Sequence, residues 1–143
     1  MKPEVDQILG LSTGQLMSQI VPLLPNSFAI GSASLLGIMM TFAAQEYERG
    51  AEIRAAENAD MRSLFHEAAS GVSDASLKSA LLAAADTRDA SLKISALNAS
   101  NAELRRLLIR LQAHAEEAQL QPLARRIWDV LKASADRRLL RLA

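Results

Sequence analysis

Residues 27–69 read SFAIGSASLLGIMMTFAAQEYERGAEIRAAENADMRSLFHEAA, and the rest of the chain is organised around them. The stretch holds no proline, and its apolar residues recur at helical spacing. It predicts one long helix, about 65 Å at ~1.5 Å per residue. Its first half carries no charge, whereas its second half is densely charged. Pro25-Asn26-Ser27 supplies a break and then a cap at its start.

Downstream, Ser70-Gly71-Val72-Ser73 is the clearest turn in the chain. Gly71 is expected to take the left-handed conformation that closes a helix, and Ser73 to cap the next one. Asp74 suits that helix's positive end. No proline or glycine follows until Pro122, so a second long helix is expected over 74–118, antiparallel to the first. Gln119-Leu120-Gln121 is a short connection, and Pro122 opens a last helix over 122–141. Upstream, Pro3 and Gly10 bracket one short helix. Ser12, with Gln15 three residues on, caps another that stops near Pro22. The expected fold class is therefore all-α. It is a single domain over 1–143, a bundle built on a long antiparallel hairpin, with short helices in 1–26 and one C-terminal helix.

Composition agrees with this. Half of the 143 residues are hydrophobic but only 3% are aromatic, a mix that favours helices over sheets. Cysteine is absent, which excludes a disulfide framework and any thiolate site. Met1 to Asp6 lacks the pattern of a cleaved leader, and the expected location is cytoplasmic. Net charge is zero but unevenly spread. Residues 1–100 hold 7 Lys/Arg against 11 Asp/Glu, or −4, and residues 101–143 hold 9 against 5, or +4.

Two seams at 4–3 spacing carry the packing information. One runs Ile30, Ala33, Gly37, Met40, Ala44, Tyr47, Ala51, Arg54, Asn58, Met61, Phe65, Ala68. The other runs Ile94, Leu97, Asn101, Leu104, Leu108, Leu111, Ala115, Ala118. Asn58 and Asn101 interrupt these seams, where a polar amide can set register and oligomer state. In an antiparallel hairpin turning near residue 72 the two fall about fifteen residues out of step, ~22 Å apart. Pairing across a homodimer is therefore expected. Asn58–Phe65 also resembles Asn101–Leu108, at an offset of 43 residues, and DASLK occurs at both 74–78 and 89–93.

Between Asp6 and Glu46 no residue is charged. Phe28–Ala44 lies at the short end of the range for a membrane span. Ala29, Ala33 and Gly37, four apart on one face, would also let two helix backbones approach closely. The segment is thus read as the buried centre of a self-associating bundle, or alternatively as a membrane anchor.

No motif for chemistry stands out. His66 and His114 fit neither the Glu-x-x-His nor the HExxH pattern. Glu46, Glu48, Glu52, Glu57 and Asp60 read as a solvated face interleaved with arginine. The basic last helix has one aromatic, Trp128, and no series for stacking bases, which argues against nucleic acid. Neither cofactor nor metal is expected. The expected function is a self-associating, non-enzymatic interaction or scaffold protein, with two alternatives. These are a membrane-associated protein anchored by 28–44, and a ligand-binding bundle or enzyme with an apolar pocket near Met39, Met40 and Phe42.

Overall fold

The computed structural model describes residues 2–141. As expected, the fold is an all-α helical bundle. Its helices are α1 (Val5–Gln15), α2 (Ser27–Ala68), α3 (Ala75–Ala85), α4 (Ile94–Glu117) and α5 (Gln121–Arg137). The chain forms two compact units. One comprises residues up to Gly50 with Leu140 and Arg141; the other is Ala51–Leu139. The 42-residue α2 contributes to both.

In the first unit, α1 runs without a break into a π-helical turn, Leu16–Ile20, and a 3-10 turn, Val21–Leu23. The expected interruption at Gly10 and cap at Ser12 are absent. Gly10 keeps a negative φ, so it is an ordinary helical residue. The Thr13 hydroxyl donates back to the Leu9 carbonyl at 2.9 Å. The ladder widens only near Pro22, which has no N–H to donate: the Val21 N–H reaches the Leu16 carbonyl, five residues back. Asn26 then starts α2, its Oδ1 accepting from the Ala29 N–H at 2.9 Å. The result is a helical hairpin whose arms meet at Gly37. A Cβ there would lie 3.1 Å from Met17 Sδ and 3.7 Å from Thr13 Cγ2.

The second unit departs from expectation where helix 74–118 should run. That segment is two helices separated by residues 86–93. The run Asp86-Thr87-Arg88-Asp89 is rich in side chains that compete with the helical backbone. Thr87 Oγ1 donates to the Ala84 carbonyl at 2.7 Å. Asp89 is held from α2 by Arg62 Nη2 at 2.8 Å and Asn58 Nδ2 at 2.9 Å. The second DASLK copy therefore lies in a loop, while Asp74 of the first caps α3 by accepting from the Leu77 N–H.

This loop reverses the chain once more. α3 returns antiparallel along α2, and α4 then runs parallel to it. Arg54 meets Asn98, and Asn58 meets Asn101. α5 is antiparallel again, with Arg126 on Glu67 and Arg137 on Asp60. The core between these helices is aliphatic with one ring, centred on Met61, Leu64, Phe65, Leu81, Leu108, Leu111 and Ile127. From Asn58 onward the two seams supply much of it: Met61, Phe65, Ala68, Leu97, Leu104, Leu108, Leu111 and Ala115 are all buried.

Turn chemistry also differs from expectation. No described glycine has a positive φ, Gly71 included. The left-handed residue is Gln119, at φ 54°. It closes α4 with the paired bonds of a Schellman end, Leu120 N–H to Ala115 O at 2.8 Å and Gln119 N–H to Glu116 O at 3.1 Å.

Candidate functional site

The 43-residue internal similarity is the register of two parallel helices. Equivalent positions of α2 and α4 lie side by side, so Asn58 and Asn101 meet within one chain. Asn101 Nδ2 donates to Asn58 Oδ1 at 2.9 Å. Asn58 Nδ2 donates onward to the Leu97 carbonyl at 3.2 Å and to Asp89. The expected separation of the two asparagines is thus corrected. It assumed one unbroken return helix, and the reversal at 86–93 removes the fifteen-residue mismatch.

Beside this pair sits Glu57, 2% exposed. Charge spacing predicts a solvated face shared with Glu46, Glu48, Glu52 and Asp60; the structure buries Glu57 instead. Arg138 Nε and Nη2 grip its two oxygens at 2.5 Å each. Ser134 Oγ donates at 2.7 Å, and Asn101 Nδ2 at 3.3 Å. Arg105 lies 3.7 Å away and also donates through Nε to Asn101 Oδ1. Burial pushes the Glu57 carboxyl upward, but hydrogen bonds from Arg138 and Ser134 and the charges of Arg138 and Arg105 outweigh it. The net pKa is below the ordinary glutamate value. The available signal was Ser134 on the apolar face of α5 with Arg138 four residues on, which together demand a buried acceptor.

This network leaves no room for a reactant. The cavity beside it, lined by Glu57, Met61, Arg105 and Val130, holds about 10 Å³, space for one water at most. Among the described residues no group of three or more His, Asp or Glu could hold a metal ion. His66 is exposed, and His114 is half-buried with Nε2 unpartnered. The Glu57–Asn58–Asn101 cluster ties α2 to α4 and, through Ser134, to α5.

The other predicted residues, Ala29, Ala33 and Gly37, lie in the hairpin. Ala29 and Ala33 are half-buried and Gly37 is buried. Their stripe is taken up at least in part inside the chain, where Gly37 meets Met17 of the first arm. What the hairpin leaves uncovered is larger. Leu11, Ile20, Leu23, Phe28, Leu35, Leu36, Ile38 and Met39 are all exposed, Leu23 to 82% and Phe28 to 84%. α2 is long and apolar enough to cross a membrane, with mean hydropathy 1.6 over its most apolar 18-residue stretch, of which only 6% is buried. Three of the hydroxyls here bond back to their own helices: Thr13 to Leu9 O, Ser18 to Gly14 O, Thr41 to Gly37 O. No protein-family model, curated protein or solved structure matches the chain.

Proposed function

We propose that the protein is a membrane-anchored interaction protein. In this reading residues 5–45 are a lipid-inserted hairpin, and residues 51–139 form the bundle that meets partners. The observation that carries it is the hairpin's exposed apolar surface with no charge from Gln7 to Gln45. A hairpin of this kind in water would expose far more contiguous apolar surface than a soluble monomer tolerates. Lipid also fits its dimensions. Each arm has about 19 residues, or ~28 Å, against a hydrocarbon core of ~30 Å. The back-bonded hydroxyls lower the cost of placing Ser and Thr there. Charged residues flank only one end of the hairpin: Lys2, Glu4 and Asp6 on one arm, Glu46, Glu48 and Arg49 on the other. Both arms would therefore enter through the same face.

Self-association remains the competing reading, and the outer faces of the hairpin are the surface a second copy would use. The two are separated by fluorescence. The chain has no cysteine, so Leu35→Cys can be labelled uniquely with an environment-sensitive dye. On mixing with phosphatidylcholine vesicles, the dye at 35 is expected to shift blue and be quenched by lipid-borne quenchers, while a dye at Ile109→Cys is unchanged. Equal, lipid-independent emission from both positions would refute the membrane reading.

A further inference from the structure

The bundle carries a second unfilled surface, an open groove of about 830 Å³ between α3 and α4. Its floor is lined by alanine stubs, Ala80 and Ala84 on α3 and Ala99 and Ala102 on α4, with Leu104 and Leu107 beside them. Around them stand four arginines, Arg62, Arg88, Arg106 and Arg110, against one carboxylate, Glu103. Arg62 is committed to Asp89, and Arg106 to Glu103. Arg88 and Arg110 pair with no carboxylate among the described residues.

We propose that this groove binds an acidic amphipathic α-helix from a partner protein, its apolar face on the alanines and its carboxylates on Arg88 and Arg110. The shape argues for a helix. Two antiparallel helices with small side chains leave a valley that a third backbone can approach closely. From Ala99 to Arg110 the floor runs about 16 Å, three turns of a partner helix. The charge argues for acid. Arginines at a groove's rim that have no carboxylate of their own gain from a partner's carboxylates, which set orientation and speed encounter. A bare phosphate would use the arginines but leave the alanine floor open. The inference concerns the bundle alone and stands whether lipid or protein covers the hairpin.

The test uses the full chain in a mild non-ionic detergent. The probe is a fluorescein-labelled peptide of about 16 residues, with Leu and Ala on one helical face and Glu on the other. A control peptide carries Lys for every Glu. Anisotropy is expected to show the Glu peptide binding at least ~10-fold tighter than the Lys peptide, and weakening as salt rises. The double reversal Arg88→Glu/Arg110→Glu is expected to reduce binding of the Glu peptide at least ~10-fold. Ala99→Trp, which fills the floor, should abolish it with an unchanged circular dichroism spectrum. If the reversal unfolds the bundle, Arg88→Ala/Arg110→Ala carries the same expectation. Equal affinity for the two peptides would overturn the proposal. So would charge variants that lose binding to phosphatidylglycerol vesicles but keep the peptide, since the arginines would then face lipid.

Discussion

Asn58, Asn101 and Glu57 each hold several partners at once, so removing one strands the others. Asn101→Ala would leave the Asn58 oxygen without its donor in a buried site and take one donor from Glu57 Oε2, which keeps Arg138 Nη2. We expect it to cost about 2–3 kcal/mol in chemical denaturation. Asn58→Leu/Asn101→Leu should cost less than the two single changes combined, because neither partner is then stranded. Glu57 and Asp89 also set a pH dependence. Hydrogen bonding from Arg62 holds Asp89 below its ordinary value, as Arg138 and its neighbours hold Glu57. A depressed folded pKa means stability is fully present above the unfolded value and is lost as pH falls through the folded one. Melting temperature is therefore expected to be level above about pH 5 and to fall below about pH 4. Glu57→Gln should lower the plateau and flatten that decline. Gln119 supplies the opposite case. A non-glycine residue at φ 54° is strained by about 1 kcal/mol, so Gln119→Gly should stabilise the bundle by about 0.5–1 kcal/mol. No change in melting temperature would contradict that reading.

At the scale of elements, the seams were legible and their direction was not. The 4–3 spacing correctly marks Asn58, Met61 and Phe65 with Asn101, Leu104 and Leu108 as inward. Periodicity assigns a face of a helix; it says nothing about whether a neighbour runs up or down. Direction depended on the loop at 86–93, which has no glycine or proline and is marked only by Asp, Thr and Ser. The repeat at offset 43 matches the observed direction, since equivalent positions lie level along their whole length when two copies run in parallel. Glu57 was misread for a related reason. A carboxylate next to the seam is solvated unless another helix brings it donors, and α5 does. The loop's anchor is testable: Asp89→Ala should cost about 1–2 kcal/mol and speed amide exchange at the start of α4, with α5 unaffected. In the hairpin, Gly37→Ala asks Met17 to give by a few tenths of an ångström and should be tolerated. Gly37→Leu should splay the arms, widening the distance between spin labels at positions 11 and 35; an unchanged distance would argue against close packing at Gly37.

For the molecule as a whole, one chain combines a bundle with a buried polar network and a hairpin with almost nothing buried. The same composition serves both, because alanine, leucine and methionine suit a protein core and lipid equally. That is why the sequence left open what covers residues 28–44. The structure adds that Gly37 and the Asn58–Asn101 pair are engaged within one chain, which leaves the outer faces of the hairpin as the surface in need of a cover. The most direct measurement is to express the full-length protein without detergent and follow where it goes, by fractionation and then light scattering after size exclusion at several salt concentrations. We expect recovery in the membrane fraction, resistance to alkaline extraction, and a monodisperse species only after detergent is added. A sharp, salt-insensitive dimer or tetramer in plain buffer would contradict the account and assign the hairpin's apolar surface to a second copy.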